Sequence, residues 1–242
     1  MNRLTRRFNP LWVFGSVAAV AIAVFGLALS ADSSPAYFQF VHLSPDSPAL
    51  DLYIDSTLYE SGLEFGQAGA VRTTGGSGYV TVAVRLAGTS PASTPILTAE
   101  INLHPGATHI VAVANELADL QIGNYQVPNA GLIAAHGRLQ FLHAIPGGPR
   151  IDVKTGQGVL LVNDLGYLED PPYTDLPSGE FRLLGTTETS PSVLLFDETY
   201  TLEENTVYTL IVTGQPIQTI LITTQAGQPG IATATPAPTT AP

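Results

Sequence analysis

The residues whose types and spacing admit chemistry gather near the start of the chain. His42 is followed by Asp46, Asp51 and Asp55 in the stretch HLSPDSPALDLYID. One imidazole and three carboxylates so close together form a donor set for Ca²⁺ or a borderline metal ion. In a cleft, His42 with Asp46 or Asp51 would instead serve a hydrolase as general base and acid. Either use depends on placement. The spacing predicts a strand ending near Leu43, a Pro-rich loop, and a second strand starting near Leu50. Asp51 and Asp55, four residues apart, share a side if that strand is regular. A third use is architectural: His42 donates to loop carbonyls, and Asp46 caps the Ser-Pro-Asp turn through backbone N–H groups. Turn-capping Asp is common, so this reading leads. A buried His42 with both nitrogens on backbone would remove the hydrolase.

Other candidate groups are scattered. His104, His109 and His136 show no metal-ligand spacing. Glu169-Asp170 and Glu203-Glu204 read as solvated turns. Ser77 lies in GGSGY, which lacks the last glycine of a nucleophile elbow. The same stretch has no lysine, so it is not a phosphate-binding loop. No catalytic residue, cofactor or cofactor-binding residue is assigned, and a non-enzyme is expected. With 0 Cys, disulfides, thiolate chemistry and a lipidated-Cys anchor are excluded.

The elements that hold these residues occur twice. QFVHLSPDSPALD at residues 39–51 returns as QFLHAIPGGPRID at residues 140–152. Gln, Phe, His, both Pro and the Asp match at a constant offset of 101. His42, Pro45, Pro48 and Asp51 therefore correspond to His143, Pro146, Pro149 and Asp152. Asp46 and Asp55 are lost in the second copy, where Gly147 and Gly156 stand. The offset holds at Gly78 and Gly179, then shrinks by two, so that Leu103 faces Leu202. The duplication predicts a first repeat over residues 36–125, a linker over 126–136 and a second repeat over 137–224.

Within each repeat, Val80, Val82, Val84 and Leu86 alternate with smaller or polar residues, the period of a strand with one buried face. Residues 96–103 and 108–114 are β-rich and joined by His-Pro-Gly, a turn signal. Residues 207–212 and 217–222 repeat the pattern. About seven short strands per copy predict an all-β fold of two tandem antiparallel immunoglobulin-like sandwiches. The 23 Gly, 19 Pro and 12% charged residues fit that class.

HLSPDSP followed by DLYID closely resembles the opening of the bacterial domain-of-unknown-function family number 4397. Members open on His-x-Ser-Pro-Asp-x-Pro and then Asp-x-Tyr-x-Asp-Gly. Phe65-Gly66 and the Val-rich strand after Gly78 are similar to that family too. Ser56 departs from the usual Gly, and the second copy departs at Ile145, Gly147 and Gly156. The resemblance implies surface-attached or exported β-sandwich domains, often in tandem, and implies no reaction.

The ends of the chain are compositionally distinct. Arg3, Arg6 and Arg7 precede an uncharged apolar run over residues 11–30, long enough to span a bilayer. Ala28-Leu29-Ser30 offers signal-peptidase spacing. A cleaved signal and an uncleaved anchor both fit residues 1–31, and either sends the rest of the chain out. The tail over residues 225–242 is dominated by Ala, Thr, Pro and Gly and is expected to be disordered. Net charge is −11, and the three N-terminal arginines are among only 9 Lys and Arg. Nucleic acid is excluded as a partner by that repulsion. Membrane contact is expected only through an uncleaved N-terminus. The function expected is a non-catalytic cell-surface or envelope module. It binds a polymer or surface protein, or acts as a spacer, with Tyr53, Tyr59 and Tyr125 as candidate sugar-facing aromatics. A Ca²⁺-stabilised structural domain is the alternative.

Overall fold

The computed structural model describes residues 34–170, 172–225 and 232–236. The expected signal or anchor lies outside them. Among the described residues, no helix is long and apolar enough to cross a membrane.

The chain is all-β. The first repeat consists of β1 (Tyr37–Leu43), β2 (Leu50–Ile54), β3 (Thr57–Leu63), β4 (Arg72–Thr73), β5 (Gly78–Leu86), β6 (Leu97–Leu103), β7 (Thr108–Ala114) and β8 (Gln121–Gln126). The second repeats it as β9 (His136–Ala144), β10 (Ile151–Thr155), β11 (Leu160–Leu165), β12 (Tyr173–Pro177), β13 (Gly179–Thr187), β14 (Ser190–Leu202), β15 (Thr206–Thr213) and β16 (Gln218–Gln225). One sheet of the first repeat has the order β4-β1-β7-β8 and the other β3-β2-β5-β6. The second repeat matches with β12-β9-β15-β16 and β11-β10-β13-β14.

Strand registers verify the duplication. Gly78 pairs with Leu103, and Gly179 pairs with Leu202. The two-residue drift therefore arises between β5 and β6. Residues 87–96 connect those strands, whereas β13 and β14 meet at a turn over residues 188–189.

The expected antiparallel architecture needs one correction. β1 runs parallel to β7, and β9 runs parallel to β15. Turn signals reveal only hairpins between neighbours in sequence. Partners so far apart carry no such signal, and a parallel pair requires a long crossover.

Period two builds the two cores. Phe38 and Phe40 of β1 and Val111 and Val113 of β7 face Leu50, Leu52, Val82, Val84 and Leu103. Leu139, Phe141, Leu210 and Val212 face Ile151, Val153, Leu183 and Leu202 in the same way. The opposite faces of β1, β7, β9 and β15 are buried as well. Val41, Leu43, Ile110, Ala112 and Ala114 meet Leu142, Ala144, Val207 and Ile211, closed by Tyr125, Ile220 and Ile222. The two repeats thus share a third core, in which their sheets stack back to back. Burial on both faces explains why HIVAVA and VYTLIV are nearly continuous apolar runs.

The linker is fastened from its own end. Arg138 on β9 is buried. Its Nη1 donates to Pro128 O and Ala130 O at 2.8 Å each, and its Nη2 donates to Gly131 O at 3.3 Å. Its Nε and Nη2 also grip Asp175 of β12 at 2.6 and 2.8 Å. Part of the tail is ordered, contrary to expectation. Ala232–Pro236 forms β17, antiparallel to β16. An open sheet edge supplies backbone partners that ask for no apolar side chains, and Thr suits a strand.

Candidate functional site

The strand–loop–strand at His42 is the feature the sequence singles out, and both repeats build it identically. His42 is fully buried. Its Nδ1 accepts from Ser44 N–H at 3.2 Å, and its Nε2 lies 3.2 Å from Pro48 O. His143 accepts from Ile145 N–H at 3.2 Å and places Nε2 2.9 Å from Pro149 O. These partners fix the tautomer: the proton sits on Nε2 and is donated to the carbonyl. The two intervening prolines in each loop let a single imidazole bridge its ends. Burial holds both histidines below the ordinary value of 6.5, partly offset by the bond to the proline carbonyl. The backbone carbonyls take part as well. His42 O accepts from Gly66 N–H and His143 O from Leu168 N–H, both at 2.8 Å. Phe65 and Tyr167 stand edge-on to the respective imidazoles.

Each predicted carboxylate is likewise occupied. Asp51 is buried and accepts from Ser61 Oγ at 3.0 Å, Gly62 N–H at 2.8 Å and Gly88 N–H at 3.2 Å. Asp152 accepts from Asp164 N–H at 2.9 Å. Gly62 and Asp164 both adopt positive φ at a register shift of their hairpins. The retained Asp thus closes a β-bulge in each repeat. Asp46 is exposed and accepts from Leu117 N–H at 2.8 Å, tying its loop to the β7–β8 connection. Asp55 lies beyond the end of β2, at φ 46°, and accepts from Thr81 N–H at 2.9 Å. The regular strand that would align Asp55 with Asp51 stops at Ile54.

The grouping that a metal site would need is therefore not formed, and the architectural use of these residues is the one seen. Among the described residues, no set of three or more His and carboxylate side chains could hold a metal ion. The imidazole of His42 is sealed from solvent and bonded to backbone on both sides, which is not the open, cleft-facing placement that a general base needs. The remaining motif members, Pro45, Pro48, Pro146 and Pro149, shape the two loops.

The tyrosines also need correction. Tyr53 and Tyr125 are buried, and Tyr59 packs edge-on against Phe38 in the first core. Tyr125 donates to Leu168 O at 3.1 Å, across the junction between repeats. His109 is buried with Nε2 accepting from His104 N–H at 3.0 Å and Nδ1 2.9 Å from Asn124 Oδ1. It stitches β6 to β7 and β8.

What the motifs did not reveal is a groove of about 500 Å³ on the outer face of β2, β5 and β6. Arg85 lines it and stacks over Tyr53, 5.1 Å from the ring centre. Pro91 and Pro95 of the β5–β6 loop form one side, and Asp55, Ser56, Thr81 and Thr98 supply polar atoms. A signal for it existed. Arg85 sits on the outward phase of β5, in a chain poor in cations, beside an insertion that the second repeat lacks.

A tandem all-β chain emerges, whose repeated His and Asp residues are joints of the fold. The family comparison agrees. The model of a domain of unknown function, DUF4397, matches residues 36–154 and again residues 137–234. The chain belongs to this family, in two tandem copies. No curated protein sequence matches it. Among solved structures, the Bacillus anthracis TIE protein aligns at 12% identity and a TM-score of 0.25. The alignment covers 84% of this chain and 48% of that one, so the chain spans about half that protein's length. The likeness is too slight to inform fold or function.

Proposed function

We propose that this chain is a non-catalytic module of the cell surface or envelope, exported through its N-terminal segment, that presents a binding face on a rigid two-repeat body. The observation that carries this reading is the occupation of the motif itself. Every His and Asp kept in both copies is bonded to backbone, so duplication preserved a scaffold. The shared third core supports a rigid presentation. Basic flank, apolar run, absent cysteine and acidic charge support export. In the finer assignment, each repeat is an immunoglobulin-like sandwich, supported by two facing sheets per repeat, four-stranded except where β17 adds a fifth strand to one sheet of the second repeat. Its partner is a cell-envelope polymer or a surface protein, with no nucleic acid.

Protease treatment of intact cells expressing the full chain tests export. Loss of the β-repeats on shaving is the expected result, and their protection until lysis would refute it. The calcium-stabilised alternative loses support from the occupied carboxylates. Adding calcium or a chelator should leave the Tm of the purified protein unchanged.

A further inference from the structure

We propose that the groove over Arg85 is a binding site for an acidic saccharide unit, its carboxylate received by the Arg85 guanidinium. The inference deepens the reading of the chain as a binding module by naming a site and a ligand class.

Among the described residues, Arg72, Arg138, Arg150, Lys154 and Arg182 each lie within 4.0 Å of a carboxylate. Arg85 does not. Its Nε and Nη1 are shut off from solvent and have no hydrogen-bond partner. Asp51, its cross-strand neighbour, is engaged by Ser61, Gly62 and Gly88. A cationic donor withdrawn from water without an acceptor is costly. The fold nonetheless keeps it, stacked on Tyr53, in a chain of net charge −11 where acids are plentiful.

The surroundings specify the ligand. A guanidinium attracts a carboxylate by its charge and its N–H groups, and Arg85 lines the groove. Ser56, Thr81 and Thr98 offer hydroxyls and Asp55 a carboxylate, which suit the hydroxyls of a sugar ring. Pro91 and Pro95 provide an apolar wall for its carbon face. A volume of about 500 Å³ falls in the range of small-ligand pockets.

The second repeat shows the same surface without a site. By strand register, Lys154 replaces Tyr53, Thr186 replaces Arg85, Leu184 replaces Ala83, and Asp197 replaces Thr98. There Asp197 pairs with Arg182 at 2.6 and 2.5 Å. The corresponding stretch is two residues shorter and runs as a tight turn at residues 188–189 followed by an extension of β14, in place of the open proline-bearing loop. An unpaired cation, an aromatic platform and a wall are therefore present together in one copy, whereas the cations on that face of the other, Lys154 and Arg182, are each within 4.0 Å of a carboxylate.

Calorimetric titration of the purified full chain with oligogalacturonate, a neutral oligogalactose of equal length, and acetate tests the proposal. Saturable binding of the uronate alone is expected, weakening with added salt. Arg85→Gln should weaken it about tenfold or more, as loss of a charge-assisted pair implies. Thr98→Asp, at an exposed position, should do the same by placing a carboxylate beside Arg85 while leaving the Tm in place. Equal binding of the neutral sugar, binding of acetate as tight as the uronate, or uronate binding untouched by either variant would overturn the site. So would no uronate binding, a result that leaves export, judged by protease treatment, standing. A marked drop in Tm for Arg85→Gln would assign Arg85 a packing role instead.

Discussion

Replacing Arg138 with Met removes the clasp between β9, β12 and the linker while keeping an unbranched side chain of similar length. Five donor–acceptor contacts disappear, two to Asp175 and three to the carbonyls of Pro128, Ala130 and Gly131. Breaking a buried pair by deleting one partner costs roughly 3–5 kcal/mol. The Asp175 side chain retains 15% exposure and can recover water, which places the expected loss near the lower end, about 3 kcal/mol. Asp175→Asn should cost less, about 1–2 kcal/mol, because Arg138 keeps its three carbonyl acceptors. Urea unfolding followed by circular dichroism separates the two, with the slope of the transition unchanged if compactness is preserved. If Asp175→Asn costs as much as Arg138→Met, the linker carbonyls contribute nothing. A loss below about 1 kcal/mol for Arg138→Met would refute the clasp altogether.

Acid should weaken the fold through its histidines. Burial lowers His42, His109 and His143 from 6.5, so between the lowered and ordinary values the unfolded chain binds more protons. Stability is then complete above about pH 6.5 and falls as pH drops below it; a thermal-melt series should show the decline, reduced in His143→Asn. A second acid loss is expected lower, because the Arg138 hydrogen bond holds Asp175 below its ordinary 3.8; its contribution is present above that value and fades as pH falls through the lowered one. Asp51→Asn should cost about 1–3 kcal/mol by unfitting an acceptor for three donors, against under about 1 kcal/mol for exposed Asp46→Asn. Leu142→Ala, in the core between repeats, should cost about 2–5 kcal/mol while calorimetry still shows one cooperative transition. Two separated transitions in the parent protein would contradict a shared core.

The sequence makes some levels of this architecture plain and hides others. The offset between His42 and His143 exposes the duplication because both loops need the same imidazole bridge. Alternation in Val80, Val82 and Val84 marks one buried face of β5, and hairpins follow from their turns. The pairing of β1 with β7 leaves no local trace, since it joins residues some seventy positions apart. Tyr53 and Tyr125 read as exposed candidates because amphipathic rings serve at surfaces and in cores alike. Arg138 is one cation among few, and nothing in its neighbours announces the carbonyls it collects. Of the candidate site, the residue types were legible. Their engagement with backbone was not, because whether an Asp binds a metal or closes a bulge depends on which N–H groups the fold brings to it.

The core between repeats has a further consequence. Val41 and Leu142, Leu43 and Ala144, Ala112 and Ile211, and Tyr125 and Ile222 are equivalent positions in the two copies, and all of them lie in it. Each copy offers the other the same surface, the self-complementary geometry of a two-fold homodimer, here written into one polypeptide. A symmetric dimer must carry every surface feature twice. Joining the halves covalently lifts that constraint, so one half can hold a proline-walled loop while the other has a tight turn and a longer strand in its place. With the proposed site, the particle would have a valency of one, built from parts that as separate subunits would have been bivalent.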